Sequence, residues 1–268
     1  MATHKGHVII PFEVHEHSKK FMDWQVKGSR LVRNRDGFFL HVTFRKLVEE
    51  RETEGVLGID INEKSIDLAL VKPDKVKFIK IDISEAKYIR DRYFKKRRSI
   101  QSRRLGKIKA SLLAKYSGRE KKRVDAIIHR ASKIIAKIVD EEEVKPIMEE
   151  LKGIREKVHY TKIMNRRLHT IPFRKIQFYI SYKSMELGFK PEFINAKNTS
   201  KTCPICGETS KPNGHVFKCK RCGFQAGRHF VAAWNIANKL PMCRPLPLAA
   251  KAIDEALKAE VERIVIKS

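Results

Sequence analysis

Four of the five cysteines fall in two close pairs, Cys203-Pro-Ile-Cys206 and Cys219-Lys-Arg-Cys222, with twelve residues between them. Two Cys-x-x-Cys knuckles at this separation put four thiolates at the corners of a tetrahedron, about 2.3 Å from a zinc ion. Such a site is closed: it holds structure together and leaves no open position for catalysis. Gly207 and Gly223 follow the second and fourth cysteines and suit the tight turns in which backbone N–H groups face sulfur. The bland alternative is four unrelated cysteines, which the paired spacing disfavours. Cys243 has no partner and reads as a plain thiol. An odd cysteine count in this pattern suits a metal site in a reducing compartment better than a disulfide framework.

A second set of chemistry-bearing residues closes apolar runs. Asp60 ends Gly55 to Asp60, and Glu149 follows Val144 to Met148. Carboxylates converging from neighbouring strands can hold one or two Mg²⁺ ions, which generate a nucleophile and stabilise both oxygens of a scissile phosphate. This is the arrangement an RNase H-like nuclease needs. An acid at a strand end is also common without such chemistry, so the pair alone leaves both readings open.

The third set is cationic. The chain has 268 residues, with 58 Lys and Arg against 31 Asp and Glu, a formal net charge of +27. A polyanionic partner, nucleic acid first, is the expected resolution of so large an excess. From Lys87 to Arg123 sixteen basic residues face two acids, Asp91 and Glu120, so about half of the net charge sits in one stretch. Arg90, Arg92, Lys95, Lys96, Arg97, Arg98, Arg103, Arg104 and Lys107 are the candidate phosphate contacts. A merely solvated helix face would mix signs for i,i+4 pairing, and this one hardly does. Neither a run of about 18 apolar residues nor a secretory leader is evident, so a cytoplasmic protein without membrane contact is expected.

The elements that must position these groups follow from periodicity. Val8 to Val14 reads as a strand, and Gly28 to Phe44 as two more, folded back at Asn34-Arg35-Asp36-Gly37. Gly55 to Asp60, Ser65 to Val71 and Val76 to Ile83 read as three consecutive antiparallel strands. A helical hairpin spans 85–140, broken at Ser117-Gly118, with Val124, Ile127, Ile128, Ala131, Ile135 and Ile138 as the stripe of its second arm. Val144 to Met148 is a strand, Ile171 to Leu187 a helix stopped by Gly188, and Phe189 to Asn195 a fifth strand. Beyond the cysteines come a helix from about Phe230 to Lys239 and, after Pro241, Pro245 and Pro247, an appended helix from Ala249 to about Ile264.

In this order the residues resemble a known family. Gly-Ile-Asp60, a long basic helical hairpin, Ile-Met-Glu149-Glu-Leu-Lys, Thr199-Ser-Lys-Thr-Cys-Pro-Ile-Cys-Gly, Cys-Lys-Arg-Cys-Gly-Phe-Gln-Ala and Ala-Ala-Trp-Asn-Ile look like TnpB. This is the OrfB-type protein of small insertion sequences, a relative of type V CRISPR effectors. The likeness covers roughly Gly28 to Lys239, and Leu31 to Phe44 is similar to the end of the family's β-barrel. What it implies is an α/β, RNase H-like (RuvC-type) mixed sheet of about five strands, with an inserted zinc ribbon and a partial β-barrel segment in front. The implied divisions are a barrel remnant at 1–50, the RuvC-like domain at 51–198, the ribbon at 199–226, the last RuvC-like helix at 227–240 and a tail at 241–268. Asp60 and Glu149 would be the first two carboxylates for Mg²⁺ or Mn²⁺. A guide RNA would supply sequence recognition on DNA.

The chain departs from the family pattern at its third carboxylate. Where the family has a segment like Ala-Asp-Arg-Asp-x-Asn-Ala-Ala, this chain reads Ala226-Gly227-Arg228-His229-Phe230-Val231-Ala232-Ala233. Hard Mg²⁺ prefers oxygen, so impaired cleavage is expected, with His229 at the degenerate third position. The alternatives are an active RNA-guided DNA endonuclease and a stand-alone zinc-ribbon RNA-binding protein. The section before Gly28 is also shorter than the family's helical recognition lobe.

Overall fold

The computed structural model describes residues 2–3, 6–7, 9–34, 36–104, 106–151, 161, 172–239, 256 and 261–266. They fall into two compact units, 1–49 and 50–268.

The first unit holds short paired strands β1 (Ala2–Thr3) and β2 (Gly6–His7), a single helical turn α1 (Glu16–Lys19), and a long antiparallel ribbon of β3 (Gln25–Asn34) and β4 (Gly37–Arg45). The expected hairpin is present: Asn34 Oδ1 accepts from the Asp36 N–H at 2.8 Å, and Gly37 takes a φ of +134° that few other residues adopt. The strand expected over Val8 to Val14 is not: residues 9–14 have no ladder, and Ile9 is 95% exposed. Pro11 lacks the N–H a ladder needs. Val8 lies outside the described residues.

The second unit is a mixed α/β body. Its strands are β5 (Gly55–Ile61), β6 (Ser65–Val71), β7 (Val76–Asp82), β8 (Val144–Glu149), β9 (Glu192–Ile194) and β12 (Glu262–Val265), in the sheet order β12-β7-β6-β5-β8-β9. β5, β6 and β7 are antiparallel neighbours, whereas β8 and β9 run parallel to β5. Six strands, not five, therefore make this sheet. The sixth, β12, corrects the helix expected to run to Ile264, because Glu262–Val265 pairs in parallel with Ile79–Asp82. Arg263-Ile264-Val265 is β-branched at two of three positions and completes an open edge, which outweighs the helical pattern before it. Most of 240–260, with Cys243 and the three prolines, lies outside the described residues.

Strand alternation sends two sets of side chains to opposite faces. Leu57, Ile59, Ile66, Leu68, Leu70, Ile79 and Ile81 pack against α2 (Ser84–Ser102), α3 (Ile108–Glu141) and α4 (Phe173–Glu186). Val56, Ala69, Val71, Phe78 and Ile147 pack on the other side against Ala233, Trp234, Ile236 and Ala237 of α5 (Arg228–Ala237). The expected stripe of α3 is buried as read, with Ile138 half-buried.

The break in the helical hairpin lies elsewhere than expected. α2 ends at Ser102, and Gly106 turns the chain with a φ of +50°. Ser117-Gly118 sits inside α3, and Ile108 and Leu112 belong to α3 as well. One glycine in an exposed helix costs about 1 kcal/mol against alanine, less than the burial along the rest of α3 returns.

Candidate functional site

The β5–β6 hairpin places its acids by register. Closed by the Asn62 N–H on the Ser65 carbonyl at 2.8 Å, it pairs Asp60 directly with Asp67. On the other side of β5, Gly58 pairs with Ile147 and Ile59 with Met148, so Asp60 and Glu149 stand one step further along the same parallel ladder. Three carboxylates from three adjacent strands thus lie in one row on the face that α5 covers.

Within that row Asp60 is 9% exposed and Asp67 1%. The Asn62 amide bridges them, donating to Asp60 Oδ2 at 2.7 Å and Asp67 Oδ2 at 3.1 Å. Ser65 Oγ donates to Asp67 Oδ2 at 2.5 Å. Burial pushes the Asp67 carboxyl up, against the Ser65 hydroxyl and the nearby His229, which pull it down. His229, in the first turn of α5, brings Nδ1 to 3.2 Å from Asp60 Oδ2. The ligating atoms of Asp60, Asp67 and His229 lie within 4.8 Å of one another, so this trio could hold a metal ion.

Glu149 stands beside this trio with its own support. Its side chain accepts from the Thr199 hydroxyl, and its backbone carbonyl accepts from Gln177 Nε2 on α4 at 2.6 Å. Burial pushes its carboxyl up, assisted by the charge of Asp60 and opposed by Thr199 and Lys239. Asn235 on α5 donates to the carbonyls of Thr199 and Thr202, at 2.7 and 2.8 Å, and so ties the carboxylate arm to the cysteine segment.

The four expected cysteines converge. Cys203 Sγ lies 3.6 Å from Cys222 Sγ, and Cys206 Sγ 3.5 Å from Cys219 Sγ. A tetrahedron with metal–sulfur bonds of about 2.3 Å has edges of about 3.8 Å, so the group fits a thiolate-bound metal. The two knuckles are alike: Cys203 N–H donates to the Glu208 carbonyl and Cys219 N–H to the Phe224 carbonyl, both at 2.8 Å. Gly207 and Gly223 both take a φ of +75°, as the expected turns require. The Cys219 thiol is pulled down to about 6, first by the Cys222 backbone, whereas burial pushes Cys203 up to about 12. Paired strands β10 (Val216–Lys218) and β11 (Gln225–Gly227) complete the segment, and β11 runs directly into α5.

Of the candidate phosphate contacts, Arg92, Lys95, Lys96, Arg98, Arg103, Arg104 and Lys107 are exposed or half-exposed, while Arg90 and Arg97 are half-buried. Arg97 forms an ion pair with Glu120 across the two helices. Lys96 lies over the Tyr116 ring at 4.2 Å.

Sequence reasoning missed Asp67, Thr199 and Asn235. Asp67 gains its meaning from register alone: the two-residue turn at Glu63-Lys64 is the one that sets it opposite Asp60.

Comparisons with known proteins agree with this architecture. The Cas12f1-like TNB domain family matches residues 173–236, which run from α4 through the cysteines to α5. A TnpB-like protein of Methanocaldococcus jannaschii is 35% identical over 243 residues, covering 87% of this chain and 86% of that one. A TnpB-like protein of Aquifex aeolicus is 26% identical over 234 residues, covering 78% and 76%. Among solved structures, a Cas12f1–sgRNA–target DNA complex shares the fold with a TM-score of 0.56 at 21% identity, covering 78% of this chain. A CRISPR-Cas12f ternary complex gives 0.53 at 20% identity, covering 86% of this chain. The chain spans about half the length of these two, 55% and 49%. The sheet order, the cysteine group and the extent of the 35% match lead to one assignment: the chain belongs to the TnpB-like family, related to type V CRISPR effectors.

Proposed function

We propose that this protein binds a guide RNA and addresses DNA in the manner of a transposon-encoded TnpB, through a RuvC-type sheet whose carboxylate row serves phosphodiester hydrolysis. The observation that carries the reading is the row itself: Asp60, Asp67 and Glu149 on three adjacent strands, with His229 above them. A divalent ion held there would generate a nucleophile from water and stabilise the leaving oxygen. The residues of the chain hold the row in place: Asn62 and Ser65 orient two carboxylates, Thr199 the third. Zinc on the four cysteines fixes the ribbon that feeds α5, and the exposed cations of α2 and the α2–α3 turn grip phosphate.

His229 in place of a carboxylate makes Mg²⁺-supported cleavage weak. Binding without cleavage is the second reading, and the same residue favours it. A stand-alone ribbon protein would need none of the carboxylate row. The test is to sequence nucleic acid that copurifies with the protein, then assay cleavage of the matching DNA in Mg²⁺ or Mn²⁺. A defined RNA with cleavage lost in Asp60→Ala supports guided hydrolysis. Heterogeneous nucleic acid with no defined RNA overturns the guided reading.

A further inference from the structure

Asp67 is the most buried carboxylate among the described residues, and it faces a second carboxylate across a strand pair. Two carboxylates this close and this buried are costly without a cation between them. Among the described residues the ion pair made at either one is His229 with Asp60. α5 supplies no acid of its own: Arg228–Ala237 contains neither Asp nor Glu. β6 therefore provides, from beside Asp60, a carboxylate that α5 does not provide from above.

The hydrogen bonds to both carboxylates fall on Oδ2 and come from Asn62, Ser65 and His229. The separation of 3.2 Å between Asp60 Oδ2 and His229 Nδ1 is close to the ~3 Å between adjacent donors about 2.1 Å from an octahedral metal. The donor set is two oxygens and one imidazole nitrogen. Mg²⁺ dehydrates reluctantly and takes oxygen, whereas first-row transition ions accept nitrogen readily.

We propose that Asp60, Asp67 and His229 form a divalent-cation site that takes Mn²⁺ ahead of Mg²⁺, with Asp67 as a metal ligand in the active-site row. The inference rests on the reading of this row as a metal-dependent site, but it concerns metal choice and the role of β6 and needs no guide RNA to test.

The experiment uses the full chain with its cysteine site loaded with zinc and with nucleic acid removed. Mn²⁺ is titrated and the free ion read by its electron paramagnetic resonance signal, with Mg²⁺ as competitor. The native chain is expected to need Mg²⁺ in about tenfold or greater excess to displace bound Mn²⁺. Asp67→Asn keeps the side-chain shape and should weaken Mn²⁺ binding about tenfold or more. His229→Asp should bring the Mn²⁺ and Mg²⁺ affinities together, and decides the matter if Asp67→Asn does not fold. Unchanged Mn²⁺ binding in Asp67→Asn, or equal competition by Mg²⁺ in the native chain, overturns the proposal. Capture of a defined RNA is measured separately, so a failed guide reading leaves a Mn²⁺ result standing, and a failed metal result leaves RNA capture standing.

Discussion

A Cβ built on Gly58 would lie 2.0 Å from the carbonyl oxygen of Ala233 and 2.7 Å from the backbone nitrogen of Ala237. Strand β5 and helix α5 therefore meet backbone to backbone. The contact sets the height of the helix over the sheet at a point two residues from Asp60, on the same face. His229, Ala233 and Ala237 follow one another at i,i+4 spacing, so the helix face seated on Gly58 is the face that brings His229 to Asp60.

Gly58→Ala is accordingly expected to lower stability by about 3 kcal/mol or more, because the obstructing atoms are backbone and cannot swing aside. Gly118→Ala is the contrast: nothing lies within 4 Å of its would-be Cβ, and a gain of up to about 1 kcal/mol is expected from helix propensity. Urea midpoints measured on the two variants check both signs. Equal midpoints would mean that the close approach at Gly58 does not place α5.

Much of this was legible in the sequence for physical reasons. β5 and β6 are buried along their whole lengths and so read as apolar runs, and the cysteine knuckles have a spacing that little else produces. The turn between α2 and α3 was not legible, because Gly106 and Gly118 are equally strong local punctuation and only packing decides which one bends the chain. β12 was hidden because edge pairing with β7 is a long-range contact. Asp67 was hidden because a lone acid inside an apolar strand carries no motif, and its meaning comes from the register with Asp60.

Removal of zinc should act beyond the cysteines. Cys203, Phe217, Cys219 and Val231 form one buried cluster, so the cysteine segment and α5 share a core. Chelation, or Cys219→Ser, is expected to lose hydrogen-exchange protection over 199–227 and loosen the first turn of α5, while β5, β6 and β7 stay protected. Metal analysis by mass spectrometry should give one zinc per native chain. Unchanged protection after the zinc has gone would show that the cysteines do not staple this segment.

The cations of the helical hairpin divide into two kinds, and binding should separate them. Arg98, Arg103 and Arg104 are exposed, whereas Arg97 is half-buried and held by Glu120. Each phosphate neutralised on duplex DNA adds about 0.9 to the slope of log affinity against log salt. Charge reversal at Arg98, Arg103 and Arg104 should therefore weaken binding to all sequences alike and flatten that slope by about 0.9 for every phosphate no longer gripped. Arg97→Gln removes an ion pair between α2 and α3, so its effect should appear in the thermal midpoint with the salt slope unchanged. Fluorescence anisotropy across a salt series distinguishes the two. A slope indifferent to the three exposed arginines would move the phosphate grip off this hairpin, whatever its share of the charge.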